Sequence, residues 1–256
     1  MARIILSNKP LVEAIFELRW ALPEIAVGIR KDRHYPLLIG SVYEKLKMEY
    51  PFHEELPTAT MPDEMAEYIV QHRFRKGDNE WPLVQIGPGI ITLNDTRNYV
   101  WEDFEKRISQ VVEVLFESYP ESSDLKLNGV ILRYIDAVNF NYQQDSIFAF
   151  LREKLKVDVL LPSVLFEDTG VNELPLNLDL RFSFPSSTPA GEMHLRFARG
   201  KRDGKDALIW ETQVRCEGAG APQNKEQIRS WVESAHKLTD DWFFKLIEGD
   251  LLRRFK

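Results

Sequence analysis

A strand-like segment that occurs twice constrains this chain more than any other feature. Leu11-Val12-Glu13-Ala14-Ile15-Phe16-Glu17-Leu18-Arg19-Trp20 lies without a gap over Leu125-Lys126-Leu127-Asn128-Gly129-Val130-Ile131-Leu132-Arg133-Tyr134. Both begin at Leu and end Leu-Arg-aromatic, and the same offset carries Arg19 onto Arg133. Strand side chains alternate, so Val12, Ala14, Phe16, Leu18 and Trp20 share one side, and Glu13, Glu17 and Arg19 the other. That is the pattern of a half-buried strand.

The elements after each copy run in a similar order. In the first half, Tyr35 to Tyr50 reads as a helix with Leu38, Val42 and Leu46 on one stripe and Pro51 closing it. Glu64 to Lys76 alternates as a strand, with Ala66, Tyr68, Val70, His72 and Phe74 facing one way. Two short strands flank Gly87-Pro88-Gly89, and a helix from near Asn98 carries Trp101, Phe104, Ile108, Val111 and Leu115. In the second half, Leu125 to Phe140 is a strand and Asp145 caps a short helix with Phe148, Leu151 and Leu155. Three more strands come next, at Leu176–Phe184, Met193–Phe197 and Ala207–Cys216, the last two joined by an Asp203-Gly204 turn. A helix from near Asn224 places Ile228, Trp231, Ala235, Leu238, Trp242 and Leu246 on one stripe.

The expected fold is α+β: two β-α-β-β-β-α halves, 1–122 and 123–256, related by internal duplication. Antiparallel sheet, as a pair of sheets or one continuous sheet, has one face covered by the two long helices and the other face exposed.

With 44% hydrophobic and 29% charged residues, the chain is ordinary globular material. Its net charge of −7 removes the overall attraction that supplies most nucleic-acid affinity, so such a partner is disfavoured. A single cysteine, Cys216, excludes an intrachain disulfide and a Cys-rich zinc site, and points to the cytoplasm. Met1 to Leu6 is too short for a signal peptide, and the most apolar later run, Val157 to Phe166, is too short to span a bilayer. No membrane association is expected.

The second half offers a register that can be worked out on paper. A turn near Ser187 sets Arg181 opposite His194 and Asp179 opposite Arg196. The Asp203-Gly204 turn sets Arg196 opposite Glu211, His194 opposite Gln213 and Glu192 opposite Arg215. Arg19, Arg133, Arg181, His194, Arg196, Gln213 and Arg215 are therefore the candidate binding residues, on the polar side of the sheet. The plainer reading is a solvated sheet stabilised by cross-strand ion pairs.

No phosphate-binding glycine loop, dinucleotide fingerprint, HExxH or GxSxG is present, so no catalytic residue, metal ligand or cofactor is assigned. Glu233 and His236 have metal-ligand spacing but read better as a solvated helix flank, with Asp240 one turn on. His72 reads as a hydrogen-bonded core histidine, and Asp203-Gly204-Lys205 as turn chemistry. Leu160, Leu161, Val164, Leu165 and Phe166 either cover the sheet edge, the default, or form a partner interface. Asp136 falls among the apolar alternates Val130, Leu132, Tyr134 and Val138. A buried carboxylate is costly unless paired, so either a bulge turns it outward or an arginine near the centre of the molecule meets it.

Pro10-Leu11-Val12-Glu13-Ala14-Ile15-Phe16-Glu17-Leu18-Arg19-Trp20, Leu132-Arg133-Tyr134-Ile135-Asp136, and Trp231 with Ala235-His236 resemble an uncharacterised, sporadically distributed family of prokaryotic proteins of about this size. The resemblance carries over no catalytic residue, and that family tends toward Asn where this chain has Asp136. Sporadic occurrence implies an accessory component of a defence or toxin-neutralising system. The leading expectation is a non-enzymatic cytoplasmic module holding a protein partner, itself or another, on its open sheet face or apolar connection. The alternatives are nucleic-acid binding across that face and an enzyme of unrecognised type. The enzyme would show itself as a deep pocket with shifted carboxylates or histidines.

Overall fold

Residues 6–62, 65–96 and 98–256 are described by the computed structural model. Nine strands form one antiparallel sheet: β1 (Leu11–Trp20), β4 (Phe52–Glu55), β5 (His72–Arg75), β6 (Leu83–Gly87), β7 (Ile90–Asp95), β8 (Leu127–Asn139), β9 (Asp179–Ser187), β10 (Ala190–Arg202) and β11 (Lys205–Glu217). Two further strands, β2 (Glu24–Ala26) and β3 (Ile29–Arg30), pair only with each other. Five helices accompany them among the described residues: α1 (Tyr35–Leu46), α2 (Trp101–Ser118), α3 (Ile147–Leu155), α4 (Lys225–Leu246) and α5 (Asp250–Phe255). None is long and apolar enough to cross a membrane.

The two similar segments become β1 and β8, which pair antiparallel at the centre of the sheet. Outward from β1 the order is β7, β6, β5, β4, and outward from β8 it is β11, β10, β9. Hydrogen bonding is therefore continuous across the boundary at residue 122. Arg19 lies opposite Gly129, Glu17 opposite Ile131 and Ile15 opposite Arg133, so both arginines project from the same side of the sheet.

The apolar alternates of β1 from Ala14 to Trp20 and those of β8 are buried; Val12, expected among them, sits at a register irregularity between Leu11 and Glu13 and is exposed. Ala14, Phe16, Leu18 and Trp20 share a core with Leu38 and Val42 of α1, Phe104 and Ile108 of α2, and Ile228 and Ala235 of α4. A second cluster joins Val138, Phe197, Leu208 and Trp210 to Ile147 and Leu151 of α3 and to Leu251 and Phe255 of α5. The stripes read from the sequence on α2 and α4 are the ones that bury, with Leu238 and Trp242 only partly covered.

Several local expectations are corrected. The strand expected from Glu64 begins only at His72; Glu64 itself lies outside the described residues. The intervening chain turns, with Tyr68 in the left-handed region at φ 58° and the Ile69 amide bonded to the Ala66 carbonyl. Ile69 and Val70 press on β6 there: a Cβ on Gly87 would stand 1.9 Å from the Ile69 carbonyl oxygen. Gln71, the alternate between Val70 and His72, is buried and donates to the Thr58 carbonyl. β4 fills an edge position the sequence did not suggest.

His72 is half-buried, not a core residue, and its Nδ1 lies 3.0 Å from Nε2 of His53. α3 is capped by Ser146, whose Oγ accepts from the Ala149 amide, so the cap falls one residue past Asp145. In the connection after α3, Leu160, Leu161, Val164 and Leu165 are exposed, Leu160 by 79%.

Candidate functional site

Two groups of side chains could carry function, and they lie on opposite alternates of the same strands. The first is the polar array. β10 and β11 pair in the expected register, with Arg196 opposite Glu211, His194 opposite Gln213 and Glu192 opposite Arg215. The β9–β10 register differs by two residues: Ser183, not Arg181, faces His194, and Arg181 faces Arg196. The connection is centred one residue later than expected, at Thr188-Pro189, which shifts the pairing by two and leaves every side chain on its face. Continuing across, Gln213 faces Arg133, Glu211 faces Ile135 and Arg215 faces Ile131. All seven sequence-derived candidates thus stand on one side of the sheet.

Most of these cations are neutralised by a carboxylate. Asp179 accepts from both Arg181 (2.8 Å) and Arg196 (2.9 Å), which relieves the like charges set opposite each other. Those bonds, Arg181's foremost, hold Asp179 well below the usual carboxylate range. Arg196 also donates to Glu211 (2.8 Å), Arg215 to Glu192 (2.8 Å) and Arg19 to Glu17 (2.5 Å). Arg133 is the least engaged: its Nη1 is 4.0 Å from Glu211, and its Nε is buried without a hydrogen-bond partner. His194 accepts or donates at Ser183 (2.8 Å), while its Nε2 stands 3.0 Å from Glu192, off the line of a good hydrogen bond. Burial and the nearby Arg215 charge lower the His194 pKa.

The second group lines a cavity of about 320 Å³ among β1, β8, β11, α2 and α4. Asp136 reaches it from β8, opposite Leu11 and Trp210. The side chain is only 2% exposed, and its Oδ2 has no hydrogen-bond partner. Neither sequence expectation for Asp136 holds. A register irregularity does occur, but in β1, between Leu11 and Glu13, and it leaves Asp136 facing inward. Arg202 acts on it only through its field, its Nη1 being committed to the Ala137 carbonyl at 2.8 Å. Burial therefore dominates and pushes the carboxyl up to about 8, with Arg202 pulling partly the other way. At neutral pH Asp136 is mainly protonated.

Thr212, 1% exposed and opposite Tyr134, presents a second hydroxyl without a partner. Beside it runs a chain of polar contacts: Tyr99 Oη to Tyr134 Oη at 2.9 Å, and Tyr134 Oη to His236 Nδ1 at 3.1 Å. The His236 ring stacks on Trp101 with centroids 3.6 Å apart and planes 12° from parallel. This corrects the reading of His236 as a solvated flank; Glu233 instead pairs with Arg229 at 3.1 Å. Leu6, Leu11, Val100, Phe243 and Phe244 complete apolar walls. Lys9, Glu102 and Asp240 also line the cavity, with Glu102 and Asp240 exposed and Lys9 partly so.

Of this second group, sequence reasoning singles out Asp136 alone for its misplaced polarity. Thr212, Tyr99 and Trp101 give no signal, because each fits its strand or helix pattern. Among the described residues no three His, Cys, Asp or Glu side chains gather as a metal site. No family model matches the chain, and comparison with curated proteins finds no match.

Proposed function

We propose that this protein binds a small, partly apolar molecule in the cavity beneath Asp136. One observation carries this reading: a carboxyl group almost wholly removed from water, unpartnered, and directed into a space large enough for a ligand. Leaving such a group unsatisfied costs about 1–3 kcal/mol even when it is neutral. A fold that kept it for stability alone would gain by an apolar residue there. The volume is near the lower end of ligand pockets, roughly 300–1,000 Å³, and apolar walls with a few convergent polar groups are their usual lining. The cavity also has the sign expected of an enzyme, a shifted carboxylate beside a histidine, although no reaction is assigned to it.

Ligand-observed NMR with a set of indole and phenyl compounds bearing alcohol, amine or acid groups tests the reading. Binding is expected for the wild type and its loss for the Asp136→Leu, Thr212→Val double variant, provided circular dichroism shows that variant folded. Binding of no compound at millimolar concentration, or binding indifferent to the double variant, overturns it.

A second reading is favoured by a different observation. Leu160, Val164, Leu165, Val171 and Leu176, all in the connection between α3 and β9, are each exposed. Exposed apolar groups of this kind support a protein partner, either a second copy or another chain. With its cations matched by carboxylates, the polar array supports protein contact better than phosphate contact. The strand order supports two related halves, each running inward toward the central β1–β8 pair. The first half carries four strands after α1 where the second carries three after α3, so the β-α-β-β-β-α unit fits only the second half. If the connection is a self-association surface, Leu160→Asp with Val164→Asp turns a dimer into a monomer by light scattering; a wild-type monomer with no co-purifying partner ends this reading.

A further inference from the structure

Resting on the cavity reading, we infer that the ligand is an organic amine, bound as an ammonium ion by the Asp136 carboxylate against aromatic walls. Asp136 has the only buried carboxylate oxygen among the described residues that lacks a hydrogen-bond partner. An ammonium group carries only donors, and a carboxylate accepts without donating, so the two satisfy each other completely. Thr212 Oγ, also unpartnered, supplies a further acceptor. Trp101, one face of which is covered by His236, lines the cavity with Tyr134 and Phe243, and aromatic faces attract a cation.

Charged and titratable groups surround Asp136 on several elements. Lys9 precedes β1, and its Nζ is held by the Tyr99 carbonyl at 2.6 Å. Tyr99 precedes α2, Glu102 lies in its first turn, and Tyr134 stands two residues back along β8. α4 contributes His236 and Asp240, and β10 contributes Arg202. Glu102 and Asp240, each with interactions of its own, lie toward the solvent side; Lys9 and Arg202, tied to the Tyr99 and Ala137 carbonyls, oppose a cation. An alcohol would leave Asp136 protonated, whereas an ammonium ion pairs with its ionised form.

Binding has a definite proton balance. The amine enters already protonated, Asp136 gives up its own proton to solvent, and the complex holds an ammonium–carboxylate pair. At pH 7, with Asp136 titrating at about 8, close to one proton is released per ligand bound.

Calorimetry in buffers of different ionisation enthalpy, with tryptamine, indole-3-ethanol and indole-3-acetate as probes, reads both affinity and proton release. Tryptamine is expected to bind the wild type at least tenfold more tightly than indole-3-ethanol, releasing about one proton at pH 7. Asp136→Asn should lower tryptamine affinity at least tenfold, abolish the proton release and leave indole-3-ethanol within about threefold. If indole-3-ethanol binds as well as tryptamine, or tryptamine binds without proton release, the amine assignment falls and the cavity reading stands. If none of the three binds, both fall together.

Discussion

Replacing Asp136 by asparagine is expected to stabilise the fold, by an amount that grows from near zero at about pH 4 to about 5–6 kcal/mol at about pH 9. In the unfolded chain this carboxyl titrates near 3.9. In the native protein, burial raises it to about 8. Between those values the native state keeps a proton that the unfolded state has released. The wild type therefore loses stability as pH rises through this window and levels off above about 8, where both states are ionised. A shift of about four units at about 1.4 kcal/mol each sets the scale. Asparagine has nothing to titrate, so the difference between the two proteins isolates this one group; the histidines and surface carboxylates cancel. Urea denaturation at four or five pH values between 4 and 9 measures it. A difference that does not change with pH would show that Asp136 is ionised or paired in the native protein, contrary to the geometry.

Much of the architecture is legible in the sequence because period-two and period-3.6 patterns report directly which side chains meet oil. β1, β8, β10, β11, α2 and α4 are all strongly one-sided, and each lies where its pattern points. Local conformations set by contacts far away in sequence are not legible. The alternation from Ala66 to Val70 reads as a strand, yet the close approach of Gly87 to Ile69 turns the chain there. The two-residue Thr188-Pro189 connection cannot be told from one centred a residue earlier, since both keep Arg181 and Arg196 on the same face.

The polar array is legible because hairpin parity fixes it. The cavity is not, because it needs five separated stretches to converge: Pro10-Leu11, Tyr99 to Glu102, Tyr134 with Asp136, Thr212, and His236 with Phe243. Each looks ordinary in its own element. Only Asp136 breaks its local pattern, and a break of this kind is where a fold gives up stability for something else.

Asp32 supplies the control, since replacing it with alanine is expected to cost about 4 kcal/mol, the opposite sign from Asp136. It is as deeply buried, at 2% exposure, but donors converge on both of its oxygens. Trp20 Nε1 donates to its Oδ2 at 2.7 Å, and the His34 amide donates to its Oδ1 at 3.0 Å just before α1. Removing the carboxylate strands the indole N–H of Trp20, which has no contact with water, and leaves the entry to α1 without its acceptor. Each buried donor left unpaired costs about 1–3 kcal/mol. Asp32→Asn keeps one acceptor oxygen and should lose about half as much. Trp20→Phe, combined with Asp32→Ala in a double-mutant cycle, should show a coupling above about 1 kcal/mol. Urea denaturation at neutral pH decides the matter: an Asp32→Ala protein within about 1 kcal/mol of wild type would mean that these contacts carry no net energy. Two aspartates equally removed from water thus differ in the donors around them, and it is the unanswered oxygen of Asp136, not burial itself, that marks that side chain for a ligand.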